Sequence, residues 1–179
     1  MNKLIVLFIA IIFSSCSSPQ KKSSEANDVE NRTYSDQVAS GEKDSELFIE
    51  KLNLSTLDHE PIQMSAYKDK ILILNLWATW CKPCIKEMPD METMMTQLPE
   101  EFELLLASNE DVDRIKKFRE SKQWDLNFVK LENSIESLGA YALPTTFIIG
   151  KNGELLETLV GARDWKSQET IEILTQIIK

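Results

Sequence analysis

"LNLWATWCKPCIKEMP", residues 74–89, sets two cysteines three positions apart, with a lysine and a proline between them and Trp77 and Trp80 just upstream. The residues leading into it, "KILILNLWA" (70–78), form a continuous β-prone apolar run. Such a run suits a strand buried on both faces. A helix is expected to begin at the cysteines and to run to about Gln97. A CxxC at a strand–helix junction has a specific physical use. Cys81 lands near the helix N-terminus, where unpaired backbone N–H groups and the positive end of the dipole stabilise a thiolate. Cys84 sits one turn further in and less exposed, where it can attack a mixed disulfide and release the partner. Pro83 suits the early helix because its missing N–H needs no acceptor there.

Other uses of two cysteines are weaker. A structural zinc site normally takes four ligands. The domain offers only Cys81, Cys84 and the single histidine, His59, in an expected surface turn. Copper(I) needs only two thiolates and is harder to dismiss. A purely structural CxxC disulfide closes a very small loop and contributes little stability. Redox exchange is the reading that the residues favour, with no metal.

Outward from this centre, strands alternate with helices. "LFIEKLNL" (47–54) reads as a strand, followed by a turn at "LDHEP". "FELLLAS" (102–108) reads as a second buried strand, and "LNFVK" (126–130) as a short one. "DVDRIKKFRESK" (111–122) has helical spacing, with Ile115, Phe118 and Val112 on one face. "SIESLGAY" (134–141) reads as a short helix. "TTFIIG" (145–150) and "ELLETLVG" (154–161) flank Asn152-Gly153, a strong hairpin-turn signal. "WKSQETIEILTQIIK" (165–179) is an amphipathic closing helix. No internal repeat is visible. The alternation argues an α/β domain with a mixed sheet.

The N-terminus is of another kind. "LIVLFIAIIF" (Leu4–Phe13) is a ten-residue apolar run after one lysine. It is short of the roughly 20 residues that span a bilayer. Residues 1–15 therefore read as a signal peptide ending in small residues. Residues 16–45 hold almost no large apolar side chain and cannot bury enough surface to order themselves. They read as a flexible tether, although an N-terminus without a role has the same composition. The folded domain is then 46–179. The chain has 179 residues and a net charge of −9, with no basic patch to neutralise phosphates, so nucleic-acid binding is disfavoured.

"WATWCKPC" (77–84) resembles the active-site motif of the thioredoxin superfamily, and "LPTTFIIGKNGEL" (143–155) resembles its second signature, a cis-proline loop leading into a hairpin. The resemblance covers 46–179. The export signal, an extra strand and helix between the CxxC helix and the proline loop, and "CIKEMP" (84–89) are similar to the TlpA/ResA-like group of exported, membrane-tethered thiol–disulfide oxidoreductases. Cys16, directly after the small residues of the signal peptide, resembles a lipobox cysteine, with Phe13 where a leucine is usual. That pattern implies lipidation at Cys16; an incidental cysteine after a plain signal peptide is the rival.

The resemblance implies a thioredoxin-like fold, with a mixed β-sheet flanked by helices, an N-terminal extension and a central strand–helix insertion. It implies that Cys81 attacks, that Cys84 resolves, and that Pro144 faces them as a cis-proline. It also implies that the Leu143 backbone pairs with a substrate strand and that Pro89 kinks the helix. Glu87 matches a glutamate placed near such active sites, and helical spacing puts it within one turn of Cys84. A solvated helix glutamate is the rival. Asn75 stands where cytoplasmic thioredoxins carry a buried aspartate, which leaves the usual proton path in doubt. Trp80 would guide partners, and Trp77 would mainly pack. Lys82 places a cation beside the thiolate, and Lys82 with Pro83 sets the potential and meets substrate. Met88, Met91, Met94 and Met95 could suggest copper, but their spacing and the gap-filling habit of Met point to core.

The function this implies is an extracytoplasmic, membrane-tethered oxidoreductase that reduces protein disulfides with no cofactor beyond the Cys81–Cys84 dithiol. It would draw electrons from a membrane thiol-transfer protein, with apocytochrome c as one substrate class. A disulfide oxidant or isomerase is the first rival, disfavoured by the x-Pro dipeptide. A copper(I)-binding chaperone and a binding module with inert cysteines are others. A peroxiredoxin-type peroxidase would need a threonine-containing motif that is absent.

Overall fold

The computed structural model describes residues 47–177. The signal-peptide reading of 1–15, lipidation at Cys16 and the tether over 16–45 lie outside the described residues.

A six-stranded mixed sheet organises the domain, in the order β1-β4-β3-β2-β5-β6. Its centre is β2 (Ile71–Leu76), every residue of which is buried. β2 pairs in parallel with β3 (Phe102–Ser108) and antiparallel with β5 (Thr145–Ile149). On one side β4 (Phe128–Leu131) lies parallel to β3, and β1 (Leu54–Ser55) closes the edge antiparallel to β4. On the other side β6 (Leu155–Val160) forms a hairpin with β5. The helices are α1 (Lys82–Met95), α2 (Val112–Glu120) and α3 (Gln168–Gln176). Among the described residues no helix is long and apolar enough to cross a membrane.

Strand alternation sends successive β2 side chains to opposite faces. Ile71 and Ile73 join Met88, Met91 and Met94 of α1, Ile115 of α2 and Leu174 of α3 in one apolar layer. Leu72, Leu74 and Leu76 join Leu105, Val129 and Phe147 in the other. The four methionines are therefore core, with Met95 half-buried beside the three buried ones.

The N-terminal extension departs from expectation. Residues 48–51 form a one-turn 3-10 helix instead of a strand, and only Leu54–Ser55 pair. Alternation failed there because the adjacent residues Phe48 and Ile49 both pack against the sheet. The Phe48 ring lies 4.9 Å from that of Phe147, and the Ile49 N–H donates to the Gly153 carbonyl at 3.0 Å. Gly153 has φ +86°, and a Cβ there would run into the Ile49 side chain, so the hairpin turn favours glycine. The central insertion takes the form of β4 and a single 3-10 turn, Glu136–Leu138, shorter than the expected helix and ended by Gly139 at φ +81°. The closing helix starts at Gln168 rather than Trp165, because the Ser167 side chain accepts the Thr170 N–H and caps it.

Candidate active site

α1 begins at the end of the central strand because the chain turns at 77–81 and the Cys81 N–H bonds the Ala78 carbonyl at 3.0 Å. Cys81 is the N-cap, and its Sγ accepts the backbone N–H of Cys84 at 3.3 Å. That donor and the helix dipole are the features that favour a thiolate at Cys81. Cys81 and Cys84 are joined by a disulfide; Cys81 keeps slight exposure and Cys84 none.

The sheet register brings the second signature to the same end. Thr145 of β5 lies opposite Leu76 of β2, so Pro144 meets the chain where β2 runs out toward the cysteines. The Leu143–Pro144 peptide bond is cis. The Pro144 carbonyl accepts the Gly161 N–H at 2.8 Å, and Thr145 Oγ1 donates to the Ala142 carbonyl at 2.8 Å. Among the described residues the Leu143 backbone makes no hydrogen bond, and its side chain is half-buried. Trp80, Lys82 and Pro83 are exposed around the pair. Trp77 is buried and packs on Phe118 and Phe128, with ring centroids at 4.8 and 5.3 Å. His59 is exposed at φ +65°. Among the described residues no group of three or more His, Cys, Asp or Glu could hold a metal ion.

Behind the cysteines lies a buried polar cluster. Glu87 is 4 % exposed, so it is not a solvated helix glutamate. Its Oε1 accepts from Asn75 Nδ2 at 3.2 Å, and its Oε2 from the Arg163 backbone N–H at 3.2 Å. Asn75, fully buried on the helix-facing side of β2, also donates to Thr146 Oγ1 at 2.9 Å, while its Oδ1 has no partner. Burial pushes the Glu87 pKa up. The Trp165 indole, the Arg163 N–H, the Asn75 amide and the Arg163 charge pull the other way. The Trp165 Nε1 does so from outside hydrogen-bonding geometry and makes no hydrogen bond. A carboxyl in this setting can take up and return a proton within one helical turn of Cys84.

Sequence reasoning missed four of these contributors. Arg163, Trp165 and Thr146 reach Glu87 or Asn75 only through the fold. Glu110, in the loop after β3, accepts the Thr79 backbone N–H through Oε2 and the Thr79 hydroxyl through Oε1 at 2.9 Å. It thereby fixes the loop that aims Cys81. No local pattern marks any of the four, since each acts across at least 31 positions of chain.

Sheet order, the dithiol at a helix N-terminus and the cis-proline opposite it define a thioredoxin-like protein. The chain belongs to the AhpC/TSA family, whose family model matches residues 48–158 and so includes both cysteines and Pro144. It is 35 % identical over 112 residues to the thiol–disulfide oxidoreductase ResA of Bacillus cereus, which covers 60 % of this chain and 65 % of that one. It is 32 % identical over 130 residues to the ResA of Bacillus thuringiensis subsp. konkukian, covering 70 % of this chain and 72 % of that one. Among solved structures it matches the pneumococcal exposed lipoprotein thioredoxin from Streptococcus pneumoniae with a TM-score of 0.57. That match has 23 % identity and covers 70 % of this chain and 96 % of the other. These relatives place the chain among enzymes of thiol–disulfide exchange.

Proposed function

We propose that the protein is an extracytoplasmic, lipid-anchored reductant of protein disulfides. The observation that carries this reading is the Cys81–Cys84 pair at the N-terminus of α1 with Glu87 buried one turn behind it. The Cys81 thiolate attacks one sulfur of a substrate disulfide. A mixed disulfide forms with the attacked sulfur, and the other substrate sulfur leaves as a thiolate that takes a proton. Cys84 gives its proton to the Glu87 carboxylate and attacks Cys81 Sγ. The second substrate thiolate departs and is protonated. Two electrons have passed from the dithiol to the substrate, and the Cys81–Cys84 disulfide remains. A membrane thiol-transfer protein then returns it to the dithiol. The chemistry calls for no cofactor or metal beyond the cysteines.

The unpaired Leu143 backbone fits β-type pairing with an extended substrate segment, and exposed Trp80 supplies an apolar contact beside Cys81. Lys82 and Pro83 sit where they tune the thiolate and touch the partner. Lipidation at Cys16 and the tether rest on the apolar run Leu4–Phe13 and the polar stretch after it, and agree with the lipoprotein nature of the pneumococcal relative. An apocytochrome c with oxidised haem-binding cysteines is one substrate of the right class.

The potential of the full chain, titrated against defined glutathione or dithiothreitol ratios, tests the direction. A value near that of thioredoxin, about −270 mV, is expected. A value near about −120 mV, that of a strong oxidant, would reverse the direction and make disulfide insertion the function.

A further inference from the structure

The Glu87 carboxyl has two unpartnered polar atoms of opposite kind for neighbours. Asn75 Oδ1 is buried and accepts nothing, and Trp165 Nε1 is buried and donates to nothing. An amide oxygen only accepts, and an indole N–H only donates. Buried polar groups are ordinarily paired, and one left alone is costly. Among the described residues the only other buried side-chain acceptor without a partner is Glu154 Oε2, in the β5–β6 turn at the end of β5 remote from Pro144.

The amide already meets the carboxyl along one edge. Nδ2 donates to Glu87 Oε1 at 3.2 Å, which is long for a bond to a charged oxygen. Its other hydrogen goes to Thr146 Oγ1 at 2.9 Å, which holds the amide from β5. An ionised Glu87 has nothing to offer Oδ1, because a carboxylate only accepts. A protonated Glu87 has an O–H. A carboxylic acid and a carboxamide are complementary edge to edge, N–H to one carbonyl and O–H to the other. The sheet brings no charge here, since β2 and β5 carry no ionisable side chain. The other titratable or charged groups around Glu87 are Cys84, Lys86 and Asp90 on α1, and Arg163, Asp164 and Lys166 before α3. Lys166 and Asp90 are paired at 2.8 Å.

We propose that Asn75 is a positioning residue for the resolving step, with its Oδ1 reserved as the acceptor for the O–H of protonated Glu87. The proposal deepens the reading of Glu87 as the proton carrier of a reductase and rests on that reading. As Cys84 is activated its S–H bond breaks, an O–H bond forms on Glu87 Oε2, and that O–H donates to Asn75 Oδ1. No electrons change hands in this step. They pass when Cys84 Sγ attacks Cys81 Sγ, and the proton then goes to the departing substrate thiolate. The Nδ2 bond is made in both protonation states and the Oδ1 bond in one, so the amide favours arrival of the proton. The Trp165 N–H serves the opposite state, in which the carboxylate has lone pairs to spare.

The first test is spectroscopic and uses the unsubstituted full chain, labelled with carbon-13 at the asparagine side-chain carbonyls. Infrared difference spectra are taken as the pH falls through the Glu87 titration. The Glu87 carboxyl band is the one that Glu87→Gln removes, whatever Asp90 and Asp164 do alongside. One asparagine carbonyl band is expected to move to lower wavenumber with the same midpoint, because accepting an O–H weakens the C=O bond, and Glu87→Gln should abolish that movement. A shift to higher wavenumber is the mark of an amide that only donates to the carboxylate, and it overturns the proposal, as does no shift. A Glu87 carboxyl that fails to titrate overturns the proton-carrier reading, and the proposal with it. The second test is kinetic. Asn75→Leu should slow resolution of the mixed disulfide about tenfold in the parent, and less than about twofold in a Glu87→Gln background. No slowing in the parent, or equal slowing in both backgrounds, overturns the proposal, since Asn75 would then not act through Glu87. A chain that forms no mixed disulfide overturns the reductase reading itself.

Discussion

One helix carries both extremes of this domain. The C-terminal part of α1 puts Met88, Met91 and Met94 into an apolar layer against the sheet, each with no exposure. Its N-terminal turn carries the disulfide and the next turn a buried carboxyl, Glu87, which meets an amide from β2, Asn75, whose oxygen has no partner. The packing end buries three apolar side chains with no polar atom left to satisfy. The chemical end violates two rules of core construction, by burial of an ionisable group and of an unsatisfied acceptor. The sheet and the packed half of the helix supply the stability against which that cost is held. Chemistry and stability should therefore respond to different substitutions, and the contrast can be broken from either side.

Cys81→Ser should lower insulin reduction by about a thousandfold or more, since Cys84, the other thiol of the first turn, is fully buried. Cys84→Ser should instead accumulate a mixed disulfide that non-reducing electrophoresis detects. At the packing end, Met91→Ala should cost about 2–5 kcal/mol in denaturant unfolding, with the redox potential unchanged. A shift in potential from that substitution would dissolve the division between the two halves.

Glu87→Gln should slow resolution of the mixed disulfide about a hundredfold near neutral pH, measured by rapid mixing. Its effect on stability runs the other way. Because burial raises the Glu87 pKa above its ordinary value of 4.5, the native state binds that proton more tightly than the unfolded chain does. The stability this contributes is fully present below pH 4.5 and is lost as pH rises through the raised pKa. Glu87→Gln should thus match the parent in Tm at low pH and exceed it at neutral and alkaline pH. A Tm difference independent of pH would mean that Glu87 does not titrate where the structure places it.

Asn75→Asp replaces the amide donor with a second carboxylate beside Glu87 and beside Thr146. It should destabilise by about 1–3 kcal/mol at neutral pH, with part of the loss recovered on acidification. The smallest expected effect is at the loop that aims Cys81. Glu110→Gln should cost about 1 kcal/mol and broaden the hydrogen-exchange behaviour of the Thr79 amide.

Much of the domain was legible in the sequence where the signal was local. The run 70–78 reads as a doubly buried strand because consecutive apolar residues leave no polar face, and β2 is just that. Asn152-Gly153 marked the β5–β6 hairpin because the turn needs a positive φ, which Gly153 adopts. The helix after the cysteines ran close to its expected length. The reading of 47–54 failed because two adjacent apolar residues can cover a sheet from a 3-10 turn, and alternation cannot tell that from a strand.

The candidate site divides the same way. The sequence by itself determined the two cysteines, their place at a strand–helix junction, Pro144 downstream and the glutamate one turn past Cys84. These follow from spacing along a single helix or from a motif carried by contiguous residues. Only the tertiary structure decided that Glu87 is buried, that Asn75 and the Arg163 backbone hold it, that Trp165 closes over it, and that Glu110 anchors the loop before Cys81. The reason is physical. A carboxyl's solvation and proton affinity depend on which atoms the fold brings within a few ångströms, and here those atoms come from β2 and the segment before α3, far apart along the chain.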